Sequence, residues 1–246
     1  MKINSKKRAP KAAIKIGILG ATGKMGLKIE GLIRNDPVYS QKFRLAFLAS
    51  GPQDPRFDLL SQAPPDVLVD FSAPPCSLEG AKACGKLKVP MIVCTTGFTK
   101  KNLQQLNSRL KRVPWILAAN TSVGVFSLKE SLRKISKVLN PEKFSVDIIE
   151  FHHSQKKDAP SGTALSLAEC IISSQPQFNV KHHSIRGGTE VGEHQIHFLG
   201  PDERIEITHR AQDRSLFAHG ALKLAEQILS LKAKGRPYSP DEVFSL

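Results

Sequence analysis

The chain has 246 residues, enough for one large or two ordinary domains, and its longest apolar runs, such as Val113 to Ala119, fall far short of the ~20 residues a membrane span needs. Its four cysteines (Cys76, Cys84, Cys94 and Cys170) form no CxxC pair and no metal-ligand spacing, which fits reduced thiols in a cytoplasmic protein and argues against a metal. The balance of 36 Lys+Arg against 22 Asp+Glu leaves a formal charge of +14, yet aromatics are few and no RNP, KH or zinc-finger signature is present, so the charge reads as a field that attracts small polyanions rather than nucleic acid.

In chain order, Met1 to Ala13 is basic, has no apolar stretch before a cleavage site, and reads as a disordered tail rather than a secretory signal. Ile14 to Leu19 is a short apolar strand that runs into Gly20-Ala21-Thr22-Gly23-Lys24-Met25-Gly26. Met25, Ile29, Leu32 and Ile33 then follow at helical spacing. Strand, glycine turn and helix together form the context in which a pyrophosphate can rest on the free N–H groups of a helix N-terminus. The spacing is GxxGxxG rather than GxGxxG, so the motif gains its meaning from that context.

Phe43 to Ala49, Val67 to Phe71, Met91 to Val93 and Trp115 to Leu117 read as four more strands, with helices at Ser77–Leu87 and Lys100–Lys111. Repeated βα units predict a Rossmann-like, doubly wound parallel sheet. Ligand groups in such folds gather at the strands' carboxyl ends. Here those are Phe71 to Pro74, Cys94-Thr95-Thr96-Gly97 and Ala118-Ala119-Asn120-Thr121-Ser122.

Val125, Leu128, Leu132, Ile135 and Leu139 mark an amphipathic helix after Gly124. Val146 to Ile149 reads as a buried strand, and Ala164 to Ser173 as a helix. His194 to Leu199 and Arg204 to His209 alternate apolar with polar, as half-buried antiparallel strands do. Leu216 to Leu231 reads as a final helix. The expected organisation is therefore α/β: residues 1–122 form a dinucleotide-binding domain completed by 213–246, and 123–212 form an α+β domain with a mixed sheet.

All eight histidines lie beyond residue 150, and the densest chemistry sits in Phe151 to Ala164. His152 and His153 are adjacent, so on an extended segment they face opposite sides. Lys156 offers a fixed charge to a carboxylate, and Ser161-Gly162-Thr163 opens a helix whose N–H groups favour an anion. Proton transfer to a bound anion uses all of these. His182, His183, His194 and His197 carry less weight, and His209 with Arg214 flanks a turn before the last helix. No HExxH, GxSxG or P-loop pattern is present.

These segments, together with Asp70 to Pro74, Glu150 to Ala164, Arg186-Gly187-Gly188, Gly192-Glu193-His194 and Phe217 to Ala221, resemble the 4-hydroxy-tetrahydrodipicolinate (dihydrodipicolinate) reductase family from about Ile14 to Ile228. The resemblance implies that NADH or NADPH donates hydride to C4 of a cyclic imine dicarboxylate, in the diaminopimelate route to lysine, while a proton arrives at C3. It implies His152 as proton donor and Lys156 as the substrate-stabilising lysine, with His153, Gly162 and Thr163 as substrate contacts. Gly20, Ala21, Thr22, Gly23, Lys24, Met25, Cys94, Thr95, Thr96, Ala118, Ala119, Asn120 and Thr121 would meet the cofactor. It also implies a homotetramer built through the second domain's sheet.

Two departures stand out. Cys94 replaces the family's usual glycine, an expected crowding on the nicotinamide side. The second strand ends in Ala49-Ser50-Gly51 with no acid for a ribose 2′-hydroxyl, while Lys24 and Arg56 are available to a 2′-phosphate; both cofactors stay open. The rival readings are a dehydrogenase of an acyclic amino-acid aldehyde and a non-catalytic nucleotide sensor.

Overall fold

The computed structural model describes residues 12–246; the expected disordered tail lies, but for its last two residues, outside the described residues. The chain divides into two compact units, one holding the described residues up to Ala118 with Ala221–Ser239, the other Ala119–Gly220 with Pro240–Leu246.

The first unit runs β1 (Ile14–Leu19), α1 (Lys24–Asn35), α2 (Pro37–Lys42), β2 (Phe43–Ala49), α3 (Leu59–Gln62), β3 (Val67–Asp70), α4 (Pro74–Leu87), β4 (Met91–Val93), α5 (Lys100–Leu110) and β5 (Trp115–Leu117). Its five strands are all parallel, in the order β2-β1-β3-β4-β5. Strands of such a sheet are covered on both faces and so read as continuous apolar runs; β3 is buried along its whole length. Leu19, Phe47, Leu68, Met91 and Trp115 form one core with Ala81 and Cys84 of α4 and Leu106 and Leu110 of α5. Tyr238 adds a bridge beside β5, its N–H donating to the Trp115 carbonyl and its carbonyl accepting from Leu117 N–H.

The strand order reverses between β1 and β3, the position where α/β sheets bind ligands. The glycine turn sits there. Gly20 has φ +82°, and a Cβ on it would lie 2.5 Å from the Phe71 carbonyl oxygen, so the turn after β1 can rest on the loop after β3 only with glycine at this position.

The second unit comprises α6 (Val123–Val138), β6 (Ser145–His152), α7 (Gly162–Ser174), β7 (Val180–Arg186), β8 (Glu193–Leu199), β9 (Arg204–Arg210), the first part of α8 (Ser215–Gln227) and α9 (Pro240–Phe244). Its sheet has the order β7-β6-β8-β9. The β6–β7 pair is parallel and the other two are antiparallel, so the sheet is mixed. Leu128 and Leu132 of α6 and Leu167, Ala168 and Ile171 of α7 pack on Val146, Ile148, Ile196 and Phe198.

The terminal segment differs from the expected 213–246 extension. Only Ala221–Ser239 goes with the first unit, and Pro240–Leu246 packs on α6. There Asp241 meets Lys129 at 3.2 Å and Arg133 at 3.0 Å, and Phe244 meets Phe126. Strand β7 had no apolar alternation to announce it, because Lys181, His183, Ser184 and Ile185 of this edge strand are exposed.

In α8, a Cβ on Gly220 would lie 1.7 Å from the Thr121 carbonyl oxygen. Gly220→Ala is therefore expected to cost about 1–3 kcal/mol or more of unfolding free energy by urea titration. Gly31, inside α1 with nothing within 4 Å of a Cβ, gives the opposite sign: Gly31→Ala is expected to stabilise by up to ~1 kcal/mol.

Candidate active site

In the first unit, Gly20 and Ala21 N–H both donate to the Ala49 carbonyl, which ties the turn to the end of β2. Gly23 is the N-cap of α1 with no side-chain capping bond, and no acid lies in the first turn. An uncapped helix N-terminus beside exposed Thr22, Gly23 and Lys24 leaves N–H groups and positive potential for a phosphate. The close approach of Gly26 to the turn, where a Cβ would lie 2.4 Å from the Gly20 carbonyl oxygen, sets the helix against the loop. The residues present thus fit a dinucleotide pyrophosphate.

The remaining residues expected at the cofactor divide by exposure. Thr96 and Ala119 are exposed, Met25 and Asn120 partly buried, and Ala21, Cys94, Thr95, Ala118 and Thr121 buried. Thr95 Oγ1 accepts from Ser72 N–H, and Thr121 Oγ1 donates to the Phe217 carbonyl. The first hydroxyl joins two loops, and the second ties its loop to α8. Cys94 is 6% exposed and burial pushes its thiol far up, so it is an inert small packing group with little surface to crowd a ligand, contrary to the expectation.

Sequence reading also found no acid at the end of β2. The structure supplies one from downstream. The Asp54 carboxylate accepts from Ser50 N–H and Oγ and from Arg56 N–H, Nε and Nη2. A cavity of about 670 Å³ opens here, lined by residues 50–55 with Pro75 and Cys76, a size that suits an adenosine end.

In the second unit, β6 turns Val146, Ile148, Glu150 and His152 inward. Glu150 is 0% exposed. One of its oxygens, Oε1, accepts from Ser161 N–H at 2.9 Å, Ser184 Oγ at 2.7 Å and Arg186 Nη2 at 2.8 Å. Burial pushes this carboxyl up, but the hydrogen bonds outweigh it and hold it at about 2.

His152 Nδ1 lies 3.3 Å from Glu150 Oε2, and the ring meets that of His194 edge-on at 5.2 Å between centroids. His194 Nε2 is 3.2 Å from Ser161 Oγ and 3.7 Å from Glu150 Oε2. Burial lowers both histidines, His194 to about 4, with neighbouring His152 adding to the effect. Ser161 caps α7, its Oγ accepting from Ala164 N–H. Exposed Gly162 and partly buried Thr163 open the helix, and Thr163 Oγ1 accepts from Asn120 Nδ2. Lys156 Nζ is held by both Asp158 oxygens, at 2.8 and 2.9 Å.

The structure thus gathers His152, Lys156, His153, Gly162 and Thr163 around the β6–α7 loop. It adds Glu150, His194, Ser184 and Arg186, which sequence reasoning left without a role. The signal for Glu150 was there: a carboxylate at an inward position of an apolar alternation has to be partnered. His194 and His197, given little weight in the sequence, occupy different surroundings. His197 meets Glu206 at 3.6 Å while His194 is buried. Donor atoms of Glu150, His152 and His194 lie within 4.8 Å of one another, a spacing a metal ion can use. The Arg186 guanidinium already supplies that carboxylate with positive charge, through Oε1.

Residues 14–121 match the family model for the N-terminal part of dihydrodipicolinate reductase, and residues 124–244 match that for its C-terminal part. A 4-hydroxy-tetrahydrodipicolinate reductase from Lawsonia intracellularis is 37% identical, covering 92% of this chain and 97% of its own. One from Myxococcus xanthus is 40% identical over 69% of each chain. In fold, the chain is similar to a dipicolinate-bound dihydrodipicolinate reductase from Paenisporosarcina sp. TG-14, with TM-score 0.75 at 23% identity, covering 92% of this chain and 97% of that one.

The buried imidazoles make stability depend on pH with a definite sign. Unfolded histidine takes a proton below about pH 6.5, whereas native His194 does so only near 4. Between those values the unfolded chain binds more protons, so stability falls as pH drops through this window, by at most ~3 kcal/mol for this one site. Glu150, held at about 2, loses its contribution lower, as pH falls from ~4.3 through that value. In chemical denaturation across these windows, His194→Gln is expected to flatten the upper slope and leave the lower one.

Proposed function

The chain belongs to the dihydrodipicolinate reductase family, and we propose that it reduces 4-hydroxy-tetrahydrodipicolinate to tetrahydrodipicolinate with NADH or NADPH, the reaction of the diaminopimelate route to lysine. What carries the reading to particular residues is the convergence of a buried imidazole, a lysine and a helix N-terminus on one loop, His152 to Thr163. When bound, the dinucleotide supplies the hydride.

The chain's own groups do the rest. The first-turn N–H groups of α7 at Gly162 and Thr163, with the Lys156 ammonium, hold the ring's carboxylates; the substrate then competes with Asp158 for that ammonium. His152 hands a proton to C3, beside the C4 that takes the hydride. In the free protein, burial keeps this imidazole below its ordinary value. Two substrate carboxylates nearby raise it, so proton and substrate arrive together. His153, whose N–H donates to the Glu190 carbonyl and whose carbonyl accepts from Lys156 N–H, shapes the loop and presents its ring to the substrate.

We also place the chain in the cytoplasm as a homotetramer built through the four-stranded sheet. Supporting this, no described helix is long and apolar enough to cross a membrane, and Ile185 is 45% exposed, with Ile149 and Phe151 partly exposed on the outward positions of β6.

Two measurements test the reading. Supplied with the condensation product of pyruvate and aspartate semialdehyde, the protein is expected to oxidise the reduced nicotinamide; no oxidation of either cofactor discards the function. His152→Gln is expected to lower kcat about 10²–10⁴-fold with dinucleotide affinity intact, and near-normal turnover would move the chemistry elsewhere.

At the adenosine end, the Asp54 carboxylate is saturated by five donors and has nothing to offer a ribose hydroxyl, while Arg56 is half exposed. We therefore expect NADH and NADPH to bind within about tenfold of each other. Arg56→Ala should weaken NADPH selectively when both are titrated by calorimetry.

A further inference from the structure

We propose that Glu150 is the positioning residue for proton donation: anchored through one oxygen, it turns its other oxygen to His152 Nδ1 and leaves Nε2 as the atom that serves the substrate. This rests on the reading of His152 as proton donor.

The asymmetry of the carboxylate carries the argument. All three of its hydrogen bonds, from a helix N-terminus, a serine and an arginine, end on Oε1. Oε2 is buried, has no hydrogen-bond partner, and lies 3.3 Å from His152 Nδ1, itself without one. A carboxylate that served packing alone would gain by sharing donors between its two oxygens, since each buried unpaired lone pair costs free energy. Here one oxygen is left to the imidazoles, nearer to His152 Nδ1 at 3.3 Å than to His194 Nε2 at 3.7 Å.

The other edge of the ring faces a glycine. A Cβ on Gly192 would lie 3.0 Å from His152 Nε2, so the absence of a side chain there keeps this nitrogen approachable. With Nδ1 toward the anion, the imidazolium is stabilised on one side and gives its proton from the other. The N–H bond at Nε2 breaks, a C–H bond forms at C3 of the ring, and the pair left on Nε2 awaits the next proton. The neutral ring keeps its Nδ1 proton facing Glu150.

The groups facing His152 are Glu150 on its own strand, His194 on β8, Arg186 on β7, and Lys156 and Asp158 on the following loop. Of these, Glu150 is the buried anion. It opposes burial and the two cations, all of which lower the imidazole. Asp158 acts in the same direction from an exposed position.

The test is the pH dependence of kcat/KM for Glu150→Gln, which keeps the acceptor oxygen and removes the charge. The limb that requires protonated His152 is expected to move to lower pH by about one unit, with kcat down about tenfold or more and dinucleotide affinity unchanged. A limb that stays in place, in a protein whose unaltered form turns over, overturns the role of Glu150 and leaves the proposed function standing. Should this variant fail to fold, ¹⁵N shifts of the histidines in the unaltered protein decide. Neutral His152 protonated at Nδ1 supports the proposal; neutral His152 protonated at Nε2 overturns it. No turnover by the unaltered protein counts against the function itself, and the tautomer still decides the geometry.

Discussion

The carboxylate of Glu150 loses its water at a strand position where period two calls for an apolar side chain, and an uncompensated ion there costs several kcal/mol. Its neighbours have to return that free energy, and the way they do so determines much of the second unit. Ser161 N–H brings the start of α7 to β6. Ser184 and Arg186 bring in β7, an edge strand with little apolar surface of its own. Arg186 also reaches the Asp158 carbonyl, which fixes the loop between them. One buried charge thereby does for β7 and the loop what hydrophobic burial does for β8.

The same constraint extends across the sheet. Strand register places Ser184, Glu150, His194 and His209 in one row over all four strands. Each of the two row histidines meets an N-cap serine: His194 meets Ser161 of α7, and His209 meets Ser122 of α6 at 3.4 Å. These serines also cap their helices, accepting from Ala164 and Val125 N–H. A helix N-terminus is a poor neighbour for a cation, so the dipoles and burial together favour neutral imidazoles. Glu150 pulls in the opposite direction. The site is therefore poised rather than charged.

The elements with the strongest periodicity were legible from sequence. Strands β1, β2, β4 and β5 begin and end where their apolar runs do, because a doubly covered parallel strand has no polar face to blur its limits. Strand β7 left no periodic signal because its stability comes from partners far away in sequence, and α9 left none because its apolar pair, Val243 and Phe244, is too short to show a period. In the site, the loop from His152 to Thr163 announced itself by density of titratable groups. His194 did not, since only strand pairing brings a residue 42 positions beyond His152 to its ring. Local chemistry could be read; convergence across strands could not.

The nucleotide half shows how a rule can be broken at one position and repaired at another. An acid directly after β2 is the usual means of holding a ribose hydroxyl, and here the position is Ser50. Asp54 brings a carboxylate back to that place, since it accepts from Ser50 N–H and Oγ. It arrives already paired with Arg56, so the loop presents a neutral couple rather than a free anion. A free anion would repel a 2′-phosphate, and an unpaired arginine would favour it by charge alone. The couple does neither strongly: its guanidinium is exposed, where ion pairs are worth little and exchange partners readily. If this loop receives the adenosine end as proposed, discrimination between the two nicotinamide dinucleotides is limited to the small free energy of moving Arg56 from Asp54 to a phosphate.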